Sequence, residues 1–193
     1  MLSQQMGWSF DDAERMMLFT TMPFEAFCLD ARFLNVEEDE SRLPIRWLAA
    51  AQVAARLGQA TRAERKQVLK VWIDQTAAAA RDEHGVWTAL TVPGIEIRNL
   101  GTAGAALIAI GSDALAAGGK YLACCIATNT RLALMEAGPV ERRVYATLLQ
   151  ADSFRAIGKL DEARMTYEAA LDDAVRARDA EAEKTVRARL QEL

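Results

Sequence analysis

The chain has 193 residues, a net charge of −4 and 51% apolar residues, enough for one domain with a sizeable core. Aromatics are only 7%, and alanine carries much of the apolar count, which favours closely packed helices. No strongly basic balance points to nucleic acid, and the apolar run 103–110 is too short for a membrane span. With four prolines and eleven glycines, long stretches remain unbroken, and the expected fold class is all-α.

Met1–Leu43 is mainly acidic. Ser9 is a candidate N-cap for a helix to about Thr20, with Asp11 and Asp12 in its first turn. Pro23–Leu34 suits a second short helix, and Glu37–Ser41 a charged connector. Ile45–Leu57 reads as a helix followed by Gly58. Thr61 with Glu64 forms a capping-box pattern ahead of a helix to about Arg81. Val53–Leu69 fits a DNA-binding helix-turn-helix poorly. Glu64 stands where the recognition helix needs an apolar residue, so Arg62, Arg65, Lys66 and Lys70 read as a solvated face.

The stretch 82–102 breaks the pattern. Val86–Val92 and Ile95–Ile97 are β-prone and flank the turn dipeptide Pro93–Gly94. An irregular, non-helical insert, either a hairpin or a lid, is favoured over a loop with one irregular helix. Helices are then expected over Thr102–Ala117, Lys120–Ala137, Val140–Ile157 and Asp161–Arg178, separated by Gly118–Gly119, Gly138–Pro139 and Gly158. Asp179–Leu193 continues as a charged helix with the pair Glu183–Arg187 and the stripe Val186, Leu190 and Leu193.

Few residues suggest chemistry. His84 lies among acids in the insert and reads as a solvated loop histidine. Cys28, Cys124 and Cys125 lack metal-ligand spacing. Cys124 and Cys125 sit in the apolar run Tyr121–Ala127 and are expected to be small buried hydrophobes in a reducing compartment. No catalytic or metal residues and no cofactor are expected. The start lacks the basic segment of a secretory signal, and a cytoplasmic location is expected.

The segment Leu148–Leu171 is the most informative. Ala151 and Ala163 are small where two helices would touch, Phe154, Tyr167 and Ala170 fill the space beside them, and Gly158 can end the first helix with positive φ. Leu160 in the turn would plug the open end. This pattern resembles the tetratricopeptide (TPR) repeat of about 34 residues. Weaker matches to the same frame include Leu107, Ile110, Gly111, Gly118 and Ala123, and earlier Trp47, Ala51, Gly58 and Ala63. The candidate repeats are Pro44–Ala77, Gly104–Ala137 and Val144–Ala177, with unequal spacing and the 82–102 insert between the first two.

The resemblance implies helical hairpins stacked in a short right-handed solenoid, with 179–193 as a capping helix. It further implies a protein-interaction adaptor or assembly subunit that binds a peptide or amphipathic helix in an apolar concave groove. In the last repeat the groove positions correspond to Tyr145, Leu148, Asp152 and Arg155. In the middle one they correspond to Ile108, Ser112 and Leu115, and in the first to Leu48 and Gln52. The groove could instead be filled by Met16–Leu34 or by a second copy in a homo-oligomer. The alternative from another class is a small enzyme or regulator with a polar pocket around His84, Trp87 and Glu96.

Overall fold

The computed structural model describes residues 45–79, 92 and 94–193. The expectations for 1–43, His84, Trp87 and most of the insert lie outside the described residues. Seven helices follow in order: α1 Ile45–Gln59, α2 Arg62–Ala79, α3 Leu100–Ala116, α4 Lys120–Ala137, α5 Val140–Ile157, α6 Leu160–Ala177 and α7 Ala180–Gln191. The described residues are therefore mostly helical, and none of their helices is long and apolar enough to cross a membrane.

Local chemistry sets the helix ends. The Thr61 amide donates to Glu64 Oε2 at 2.8 Å, and the Glu64 amide to Thr61 Oγ1 at 3.4 Å, closing the expected capping box. The described residues ahead of α3, 92 and 94–99, are non-helical, with one isolated antiparallel bridge between Val92 and Ile95 and a turn at Gly94, whose φ is +80°, while 100–102 of the expected insert are already helical. Asn99 then caps α3. Its Oδ1 accepts from the Thr102 amide at 3.0 Å, while Thr102 Oγ1 accepts from the Asn99 amide at 3.0 Å. This reciprocal cap starts α3 at Leu100, two residues before the expected Thr102. Gly158 ends α5 in the left-handed region at φ +87°, as expected of a glycine cap. Leu160 corrects the sequence reading. It is the first residue of α6 and 52% exposed, so it plugs nothing.

Consecutive helices from α3 to α7 pack on one another, and α5 also reaches back to α3 and forward to α7. α1 makes its main contact with α4 and a lesser one with α3, and it scarcely packs on α2. Small residues permit these close crossings. Ala151, Ala163 and Ala170 are fully buried with Tyr167 between α5 and α6, and Phe154 is 3% exposed. A Cβ on Gly111 of α3 would lie 2.8 Å from Leu149 Cδ2 of α5 and 3.3 Å from Ile126 Cγ2 of α4. Gly58 lies inside α1 and its backbone φ is not positive. A Cβ there would come within 2.7 Å of Asn129 Oδ1 on α4, so its role is close approach, not a turn.

Arg65 also departs from expectation. It is 2% exposed instead of solvated. Its Nε donates to the Leu57 carbonyl at 3.0 Å, satisfying one of the carbonyls orphaned at the end of α1. Its Nη2 lies 2.8 Å from Glu136 Oε2 on α4. Between α5 and α6, Arg143 grips Asp173 with both arms of its fork, Nε to Oδ2 at 2.9 Å and Nη2 to Oδ1 at 2.6 Å.

Candidate functional site

The expected binding residues fall on three helices, α1, α3 and α5, of which α3 touches both of the others. Ile108, Ser112 and Leu115 share one face of α3 through helical spacing, and Tyr145, Leu148, Asp152 and Arg155 share one face of α5. Ser112 is exposed and Ile108 half-buried. Leu115 and Leu148 are half-buried and lean on the core, so each presents only part of its surface. Leu48 and Gln52 lie within α1, but their side chains are outside the described residues.

The α5 face is joined to α7 by polar contacts. Tyr145, 38% exposed, donates its hydroxyl to Asp179 Oδ2 at 2.8 Å. Arg155 Nη1 donates to Glu192 Oε2 at 2.8 Å, and Arg189 Nε stands 3.5 Å from Asp152 Oδ1. Tyr167 of α6 donates to that same Asp152 oxygen at 2.5 Å. The side chains on this face are therefore held by partners from the next two helices.

The electrostatics follow these contacts. The Asp179 carboxyl is held below its ordinary range, first by the Ala182 amide it caps and then by the Tyr145 hydroxyl. The bond to Asp179 raises the Tyr145 phenol. Burial, then the Asp152 carboxylate, raises the Tyr167 phenol well above its ordinary value. Glu192 is lowered chiefly by the hydrogen bond from Arg155. The shifts of Tyr145, Tyr167, Asp179 and Glu192 all run away from neutrality, and the face offers shape, apolar area and fixed charge.

Cys124 and Cys125 are free and buried, as the apolar run Tyr121–Ala127 suggested. Burial pushes the Cys124 thiol up to about 12 and raises Cys125 further, so neither is a ready nucleophile. Among the described residues, no three metal-capable side chains gather.

Sequence reasoning missed the links from α5 to α7 and the burial of Arg65. Asp179 and Glu192 carry a partial signal, because each terminates or caps a charged helix, but their partners lie 34 and 37 residues earlier. Comparison with known proteins finds no matching family model, no matching curated protein and no matching solved structure.

Proposed function

We propose that this chain is a TPR-like protein-binding adaptor or assembly subunit, with its partner lying across the α3 and α5 faces. One observation carries the reading. α5 packs on α4 and also reaches α3, with the small residues Gly111 and Ala151 buried on α3 and α5. Such stacking aligns alternate helices side by side and leaves their outer faces for a ligand. On this reading α7 acts as a terminal capping helix, burying Ala182 and Val186 beneath a charged outer surface.

Tyr145 supplies an aromatic anchor and Arg155 a fixed charge, and both are pre-oriented by Asp179 and Glu192. Pre-orientation lowers the side-chain entropy lost on binding. In this reading the chain performs no chemistry and needs no cofactor. A reducing, cytoplasmic setting is part of it, supported by the two buried free thiols.

The test is quantitative capture of native partners by tagged full-length chain and by a Tyr145→Ala/Arg155→Ala variant. A specific partner should bind the variant at least tenfold more weakly, about 1.4 kcal/mol, with unchanged circular dichroism. Parental affinity in a folded double variant would remove the α5 face as the binding surface.

A further inference from the structure

A cleft of about 620 Å³ lies between the first half of α2, residues 98–100 leading into the first turn of α3, and Ala137 at the end of α4. Every charged residue among its described lining is a cation. Arg62, Lys66 and Lys70 recur every fourth residue, so they share one face of α2 at intervals of about 6 Å. All three are exposed, and none enters an ion pair among the described residues. Arg98 adds a cation from a different element, itself paired to the exposed Glu96.

Arg65 also lines the cleft, with its side chain 3% exposed. Glu136 offsets part of its charge, but Glu136 is 61% exposed, and Arg65 Nη1 has no hydrogen-bond partner. A guanidinium held out of water with one arm unpaired leaves a positive potential that solvent screens poorly. The N-terminus of α3 adds partial positive charge from the same side. Three basic residues on a helix are ordinarily just a solvated face. An open cleft walled by more than one element, and a buried cation with a vacant donor in it, set this stripe apart, in a chain whose net charge is −4.

The remaining lining is the polar pair Gln67 and Asn99 and the apolar Ala63, Leu69, Leu100 and Ala137. We propose that this cleft receives an acidic peptide segment of a partner protein, its carboxylates meeting Arg62, Lys66 and Lys70 and an apolar side chain resting on Leu69 and Leu100. Carboxylates four residues apart on a helical peptide repeat at the same interval of about 6 Å as the cations facing them. Nucleic acid is the less suitable polyanion, since the cations border one cleft and do not spread into a broad basic surface. The class of ligand rests on the protein-binding reading, but the cleft is a separate surface from the α3 and α5 faces.

Fluorescence anisotropy on the full-length chain tests this with a labelled helical peptide carrying Glu at every fourth position with Leu between. A matched peptide has Lys in place of Glu. The unmodified chain should bind the Glu peptide at least tenfold more tightly than the Lys peptide, and added salt should weaken binding. Arg62→Glu/Lys66→Glu/Lys70→Glu should abolish or reverse that preference, and the milder Lys66→Gln/Lys70→Gln should weaken it with unchanged circular dichroism. No preference in the unmodified chain, or full binding by either folded variant, would overturn the proposal. So would tighter binding of a single-stranded oligonucleotide or of pyrophosphate at the same residues. If the cleft variants bind normally while Tyr145→Ala/Arg155→Ala loses its partner, this inference fails and the adaptor reading stands. The opposite result keeps the cleft and removes the α5 face.

Discussion

Gly58→Ala sets helix propensity against tertiary packing at one site. Gly58 is inside α1 with no positive φ, so alanine is conformationally allowed. Propensity alone favours alanine by up to about 1 kcal/mol. The added Cβ, however, would stand 2.7 Å from Asn129 Oδ1, 3.1 Å from its Cβ and 3.3 Å from its Cα. Rotating the Asn129 amide away would break its bond to the Cys125 carbonyl, made by Nδ2 at 3.0 Å. The approach to Asn129 Cα survives any rotation, so α1 must also retreat from α4, its main neighbour. Overpacking of this kind costs about 1–3 kcal/mol, and with three contacts too close the middle to upper part of that range, about 2–3 kcal/mol, applies; less the propensity gain it leaves a net loss of about 1–2 kcal/mol. For a domain of this size that lowers Tm by about 2–8 °C. Thermal and urea melts followed by circular dichroism measure it. The loss should shrink in an Asn129→Ala background, where the nearest clashing atom is gone. An unchanged or raised Tm in the single variant would refute the reasoning.

Three further outcomes are expected. Ala163 is fully buried against α5, so Ala163→Glu both overpacks the crossing and buries a carboxylate, costing about 3 kcal/mol or more. A Tm within a degree or two of the parent would remove α5–α6 as a close-packed pair. A thiol-reactive dye at about pH 8 should leave Cys124 and Cys125 unlabelled in the native chain and label both after denaturation, because burial withholds the thiolate; rapid native labelling at either position contradicts this. Glu64, Asp179 and Glu192 are each lowered in the folded chain, so their contribution is present above the unfolded values and lost as pH falls through the folded ones. Urea midpoints should therefore decline as pH drops below the ordinary values of 4.5 and 3.8, modestly because these groups are exposed. A midpoint that rises on acidification reverses the sign.

What the sequence determined by itself was local. Lys120–Ala137 and Val140–Ile157 form helices with the expected bounds, because the flanking glycines and Pro139 end regular hydrogen bonding whatever surrounds them. The Thr61–Glu64 box spans three residues, and Glu183 pairs with Arg187 one turn away. Burial of Ala151, Phe154, Ala163, Tyr167 and Ala170 followed from periodicity, since only one stripe of each helix can face the core. Tertiary structure decided which helix meets which. Gly58 shows the difference: a glycine after an apolar run reads as a turn, and only the approach of α4 at Asn129 makes it a contact point. Arg65 has the composition of a solvated residue, and becomes buried because the Leu57 carbonyl and Glu136 converge on it from two other helices. Leu160 looked like a plug and stands in solvent, because the turn needs only Gly158 and Lys159 and hands Leu160 to α6. The bonds from Tyr145 to Asp179 and from Arg155 to Glu192 join residues more than 30 apart. Hydrogen bonds of that reach depend on the relative placement of three helices, which is set by the summed burial of the core and leaves no mark in the spacing of the residues that make them.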